Sequence, residues 1–138
     1  MKIKALFLLG LWLLMGSFVP SDAPDWRGNC NYALACIGNA TPYTITYTVQ
    51  WGFGGTWTSW TLQPGGTMMH WYTYSTWDNC SSPQLRINFD FDASYNNNYK
   101  TYDLDRYQAE SVDCYWGKPY EFQCNAVNCS YIDLFTLD

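Results

Sequence analysis

The sequence predicts an all-β fold: a small antiparallel β-sandwich, or partly open barrel, of about seven strands held by disulfides. Three observations predict it. Residues 43–51 and 85–92 alternate apolar and polar side chains with period two, the mark of half-buried strands. Clusters such as Gly52-Phe53-Gly54-Gly55 and Pro64-Gly65-Gly66 punctuate the apolar runs as turns. Six cysteines occur, all beyond residue 29, and an even count in a short chain reads as three disulfides.

With 138 residues, 48% of them hydrophobic and 14% charged, the chain has room for one ordinary domain and is too apolar to be disordered. A net charge of −5 weighs against phosphate-driven nucleic-acid binding. Residues 1–23 read as an export signal: Lys2 and Lys4, then an apolar run over 5–19, then Pro20, Ser21, Asp22 and Ala23. The run is shorter than a membrane span needs. Residues 24–138 are then a single secreted domain, extracellular or periplasmic.

In residues 43–51, Tyr43, Ile45, Tyr47, Val49 and Trp51 share one face, and Thr44, Thr46, Thr48 and Gln50 the other. The glycines at 52–55 make a hairpin turn. In the second strand, 56–63, Trp57 and Trp60 differ in parity and face opposite ways unless a bulge intervenes. The third, 67–74, puts Met68, His70, Tyr72 and Tyr74 on one face and Met69 and Trp71 on the other, the pattern of a central strand or of one whose outer face is used.

Residues 85–92 turn Leu85, Ile87, Phe89 and Phe91 inward, and 99–105 return antiparallel. Pairing Asp92 with Tyr99 sets Arg86 opposite Asp105 and Asn88 opposite Asp103. It avoids facing Asp90 with Asp103, and like charges directly opposite are destabilising. Residues 120–123 and 131–136 are the last strands. Residues 107–117 are the least readable segment, with room for one short helical turn. Without helical crossovers the sheets are expected to be antiparallel throughout.

Cys30, Cys36, Cys80, Cys114, Cys124 and Cys129 allow 15 pairings. The pairing expected is Cys30–Cys36, Cys80–Cys114 and Cys124–Cys129: two local loops and one long tie. No C-x-x-C pair and a single histidine argue against zinc.

Aromatic residues carry the candidate binding chemistry. Beyond residue 23 only 15 residues are Leu, Ile, Val or Met, so aromatics have to fill much of the core. Yet Trp57, Trp60, Trp71, Tyr72, Tyr74 and Trp77 crowd into 21 residues, more than one interior can hold. They are the candidate ligand-binding set, because flat exposed rings stack on sugars and anchor protein partners.

Asp90, Asp92, Asp103 and Asp105 are expected on one face of adjoining strands and are the candidate Ca²⁺ ligands. They do not complete an EF-hand loop, since Tyr95 and Thr101 stand where Gly and Glu belong. The competing reading is a solvated polar face. His70 lacks any nucleophile motif and is expected to be packed or hydrogen-bonded rather than catalytic. The threonines of 44–48 form a flat array without a repeat, so an ice-binding surface ranks below simple strand propensity. Asn39, Asn79 and Asn128 are N-x-S/T acceptors if the chain passes through a eukaryotic secretory route.

The role expected from the sequence is a secreted, non-enzymatic binding module without cofactor. Its partner would be an extracellular glycan or protein surface. The competing reading is a structural or inhibitory protein whose rings are mostly core. A third is a membrane-active β protein, which the acidic charge weighs against.

Overall fold

The computed structural model describes residues 30–74, 80–94 and 97–137. The expected export segment lies outside the described residues. Among those described, nine strands build two facing sheets, with one short 3-10 turn at Cys114–Trp116. The fold is an all-β sandwich without a closed barrel. One sheet contains β1 (Tyr32–Asn39), β4 (Thr67–Thr73), β7 (Tyr107–Ala109), β8 (Lys118–Cys124) and β9 (Ile132–Thr136), in the order β4-β1-β8-β9. The short β7 pairs with the first half of β1, on the side that β8 occupies further along. The other sheet orders β3 (Thr58–Leu62), β2 (Ile45–Trp51), β5 (Leu85–Asp90) and β6 (Tyr99–Leu104) as β3-β2-β5-β6, all antiparallel.

The core between the sheets is built on rings, as the shortage of aliphatic residues requires. Phe89 and Phe122 are fully buried with centroids 4.9 Å apart, Tyr47 lies 5.4 Å from Phe122, and Tyr102 stacks on Phe89 at 5.5 Å. Leu85, Ile87, Phe89 and Val49 face inward as their alternation predicts.

Strand β1 is the element the sequence pattern does not reveal. Residues 33–37 are buried on both faces, so no alternation marks them. Ala35 and Ile37 enter the core between the sheets. Leu34 and Cys36 point the other way, beneath the segment that links β7 to β8. That segment crosses so closely that a Cβ on Gly117 would lie 3.2 Å from Leu34 Cγ and 3.3 Å from Cys36 Sγ. The 3-10 turn within this segment is the short helical turn expected there.

Four further expectations are corrected. The sheets are not antiparallel throughout, because β1 pairs β8 in parallel, Ile37 opposite Tyr120. Strand β4 is an edge strand rather than a central one. The β5–β6 register is shifted by two residues from the one expected. Arg86 faces Asp103, and Asn88 faces Thr101. This register makes a direct ion pair, Arg86 Nε to Asp103 Oδ1 at 3.1 Å, and lets Asn88 Nδ2 donate to Thr101 Oγ1 at 2.8 Å. It also turns the Asp90 carboxylate into the anchor of its own loop. Asp90 accepts from the backbone N–H of Asp92 (3.2 Å), Asn97 (2.8 Å) and Asn98 (3.2 Å).

The fourth correction concerns the disulfides, which are Cys30–Cys80, Cys36–Cys114 and Cys124–Cys129. Cys30–Cys36 cannot form. Six residues of extended chain separate its ends by about 20 Å, against the ~7 Å limit of a bridge. Cys36 instead meets Cys114 with Cα atoms 5.4 Å apart, pinning the covering segment to β1. Three disulfides in so small a chain fit an oxidising compartment. No helix among the described residues is long and apolar enough to cross a membrane.

Asn39 stands where the chain leaves one sheet for the other. Its side chain is 2% exposed and fully engaged. Nδ2 donates to the carbonyls of Tyr43 (2.8 Å) and Leu62 (3.0 Å), while Oδ1 accepts from Thr41 N (3.0 Å) and Thr41 Oγ1 (2.7 Å). This acceptor sequon is therefore a structural knot, inaccessible in the folded protein. Asn128 is exposed, and Asn79 lies outside the described residues.

Two outcomes are expected. Asn39→Ala strands the buried Leu62 carbonyl and the part-buried Tyr43 carbonyl and lowers stability by about 3 kcal/mol in urea unfolding. Replacing both Cys36 and Cys114 by Ala frees a long loop and costs about 4 kcal/mol by the same assay, whereas removing Cys124 and Cys129 costs less.

Candidate functional site

The two edges of the sandwich differ. At one edge the sheets are laced together. Ile132 N donates to the Phe91 carbonyl at 2.8 Å, Ala93 N to that of Ser130 at 2.9 Å, and Tyr102 Oη to Asp133 Oδ1 at 2.8 Å. Asn125 Nδ2 also donates to Asp133, holding that carboxylate in place.

At the other edge, β3 and β4 leave the same tight turn, where Gly66 N donates to Gln63 O at 2.9 Å and Gly65 adopts φ +74°. Each then pairs away from the other, β3 with β2 and β4 with β1. The gap between them is a cleft of about 290 Å³, lined by Val49, Trp51, Thr56, Thr58, Trp60, Met69, His70 and Trp71.

The residues of the cleft divide by role. Trp51 and Trp60 are half-buried and pack against the core, while Trp71 is 46% exposed. Thr56 and Thr58 are exposed and bring hydroxyls to the wall. His70 forms the floor at 3% exposure. Its Nε2 lies 2.8 Å from Tyr47 Oη, with the rings edge to face at 5.5 Å, and Trp60 meets it edge-on at 5.1 Å. Burial lowers the His70 pKa to about 4 and raises that of Tyr47, so both are neutral at pH 7. The cleft thus offers apolar ring faces and hydroxyls but no charge.

The six aromatic residues singled out in the sequence do not form one surface. Trp60 and Trp71 line the cleft. Tyr72 and Tyr74 continue from it along β4, Tyr72 lying 5.8 Å from Trp51 and 6.0 Å from Tyr74. Trp57 sits on the outer face of the four-stranded sheet, where the Arg86 guanidinium lies 5.5 Å from its ring and 4.7 Å from that of Phe53. Trp77 lies outside the described residues. Trp51 belongs to the cleft although sequence reasoning placed it only on a core face. The signal was available in its position, as the last inward residue of its strand beside the Gly52 turn.

The four candidate Ca²⁺ ligands do not converge. Asp90 and Asp103 face four residues apart along β5, about 13 Å, and Asp103 is paired with Arg86. Asp92 has left the strand and is buried, accepting from Ser94 N and Asn98 Nδ2, each at 2.9 Å. Asp105 is exposed beyond β6. Among the described residues no three His, Cys, Asp or Glu side chains come together as a metal-ligand set.

No protein-family model matches the chain, and no curated protein or solved structure matches it.

The floor of the cleft makes stability depend on pH. The folded state keeps His70 neutral down to about 4, whereas the unfolded chain takes up a proton below its ordinary 6.5. The contribution is whole above pH 6.5 and is lost as pH falls toward 4, by up to about 3 kcal/mol. Urea unfolding at pH 7.5, 5.5 and 4.0 is expected to show this loss in the wild type and a smaller one in His70→Gln. Equal slopes for the two proteins would remove the assignment.

Proposed function

We propose that the protein is a secreted, non-enzymatic binding module that takes up a glycan through the cleft between β3 and β4. One observation carries the reading: three tryptophans and two threonines line an uncharged, open cleft between β3 and β4. Ring faces meet the C–H surface of a sugar, and hydroxyls exchange hydrogen bonds with its own. The buried, neutral floor excludes water from beneath the ligand. His70 is committed to Tyr47 under the cleft rather than presented to a substrate, which favours binding over hydrolysis.

Three disulfides and the N-terminal apolar segment support secretion. A protein partner anchoring one aromatic or aliphatic side chain in the same cleft is the second reading, favoured by the exposed Trp71 at its rim.

The test is affinity electrophoresis and tryptophan fluorescence with soluble β-glucan, xylan and galactomannan. One of them is expected to retard the wild type and quench its emission. Trp71→Ala is expected to lose at least roughly tenfold in affinity while its melting temperature barely moves, because that ring is half in solvent. Trp60→Ala is expected to lose binding and also about 3 kcal/mol of stability. Retention of affinity by Trp71→Ala would move the site elsewhere. A spectral response to liposomes alone would favour the membrane-active reading.

A further inference from the structure

The outer face of the four-stranded sheet exposes Thr46, Ser59, Thr61 and Thr101, while Gln50 toward one end is buried. The strand register places its side chains in rows. Ser59, Thr48, Asn88 and Thr101 form one row over all four strands. Gln50, Arg86 and Asp103 form the next, toward one end. Thr61 and Thr46 face each other on the other side, as do Asp90 and Tyr99.

The polar groups orient one another across the strands. Thr46 Oγ1 and Thr61 Oγ1 lie 3.4 Å apart, Asn88 Nδ2 donates to Thr101 Oγ1 at 2.8 Å, and Arg86 NH1 donates to Gln50 Oε1 at 2.9 Å. Each hydroxyl so engaged keeps lone-pair capacity for a ligand.

Aromatic rings bracket this strip at both ends. Phe53, 73% exposed, and Trp57 flank the Arg86 guanidinium at one end. Tyr43 and Tyr99, 43% and 60% exposed, stand at the other, lining a groove of about 530 Å³ to which Thr46, Thr48, Ser59 and Asn88 bring polar groups and Ile45, Ala93 and Ile132 an apolar end. Tyr99 starts β6, two strand spacings from β2, so the groove spans about 10 Å across the sheet.

The chemistry selects a ligand class. A hydroxyl and amide floor does not suit an apolar ligand. A sheet face has no free backbone ladder for a peptide strand. Asp90, half-buried in the lining of the groove, disfavours an anion, and on the strip itself Arg86 and Asp103 cancel each other. A neutral polyhydroxylated chain remains, stacking on rings at its ends and hydrogen-bonding between them.

We infer that the outer face of the four-stranded sheet is a second carbohydrate site, which takes a neutral oligosaccharide laid across the strands between Tyr99 and Tyr43. It shares a ligand class with the cleft but none of the cleft's tryptophans. Strand β3 separates the two, its Thr58 and Trp60 serving the cleft and its Ser59 the groove.

Amide chemical-shift mapping of the oxidised protein tests it, with cellohexaose, mannohexaose and chitohexaose as neutral probes and hexagalacturonate as the acidic one. A neutral hexasaccharide is expected to shift the signals of Thr46, Thr48 and Asn88 saturably. Tyr99→Ala and Tyr43→Ala are each expected to weaken that response roughly tenfold, and Trp71→Ala to leave it unchanged. Shifts confined to Trp51, Trp60 and Trp71 would support the cleft and overturn the second site. So would an unchanged affinity in both tyrosine variants, tighter binding of hexagalacturonate, or no shift on this face with any probe. Shifts on this face with none at the cleft would support the second site and leave the cleft reading without support.

Discussion

The passage of the chain from one sheet to the other depends on a single buried amide. Where β1 ends, the backbone leaves its ladder, and the carbonyls of Tyr43 and Leu62 lose the partners a continuous strand would give them. Asn39 supplies both, and Thr41 fills the oxygen side of the same group. Its backbone is engaged as well: its N–H donates to Gly66 O at 3.0 Å, and its carbonyl accepts from Gly65 N at 2.7 Å. One residue thereby fixes the start of β2, the end of β3 and the turn from which β4 departs. A hydrophobic residue there could pack, but it could not satisfy three segments at once. The position of the cleft follows, since that same turn sends β3 and β4 into different sheets.

A core made of rings has its own consequences. Tyr47, Phe89, Tyr102 and Phe122 fill space that leucines would fill in a richer sequence, and they meet edge to face, tilted or stacked with little freedom to rearrange. Tyr47 also brings a hydroxyl into the interior, which His70 meets. The polar pair is a product of the packing solution, and it leaves a neutral, rigid base under Trp60. Aromatic residues in excess of the core's capacity emerge on two separate surfaces, because the parity of β3 sends Trp60 inward while Trp57, just ahead of the strand, lies on the outer face.

Much of the four-stranded sheet was legible because half-buried strands advertise themselves. The alternation in 43–51 and 85–92 translated directly into inward and outward faces. The opposition of Trp57 and Trp60 was likewise readable from spacing. Strand β1 was not legible, since burial on both faces erases the period that reveals a strand. Losing β1 carried other losses with it. Without it, Cys30 and Cys36 look like neighbours across a small loop, and the parallel pairing with β8 has no counterpart. The β5–β6 register was missed for a different reason. Charge repulsion was weighed only between two alignments, whereas the adopted one gains the Arg86–Asp103 pair and folds the loop around the Asp90 carboxylate. The cleft was half legible: Trp60 and Trp71 stood out by crowding, but Trp51 and His70 reach it only through the divergence of β3 and β4.

The parallel pairing of β1 with β8 bears on the order in which the molecule can assemble. Ile37 and Tyr120 are neighbours in space yet 83 positions apart in the chain. The four-stranded sheet consists of contacts closed by residue 104, so it can organise while the last quarter of the chain is still emerging. The five-stranded sheet cannot, because its central strand waits for a partner made near the end. Contacts of such high order are slow to form, and until they form β1 exposes a run of apolar backbone. The five-stranded sheet therefore closes last, once the whole chain is made. The Cys36–Cys114 bridge, which pins the segment before β8 onto β1, belongs to that final stage.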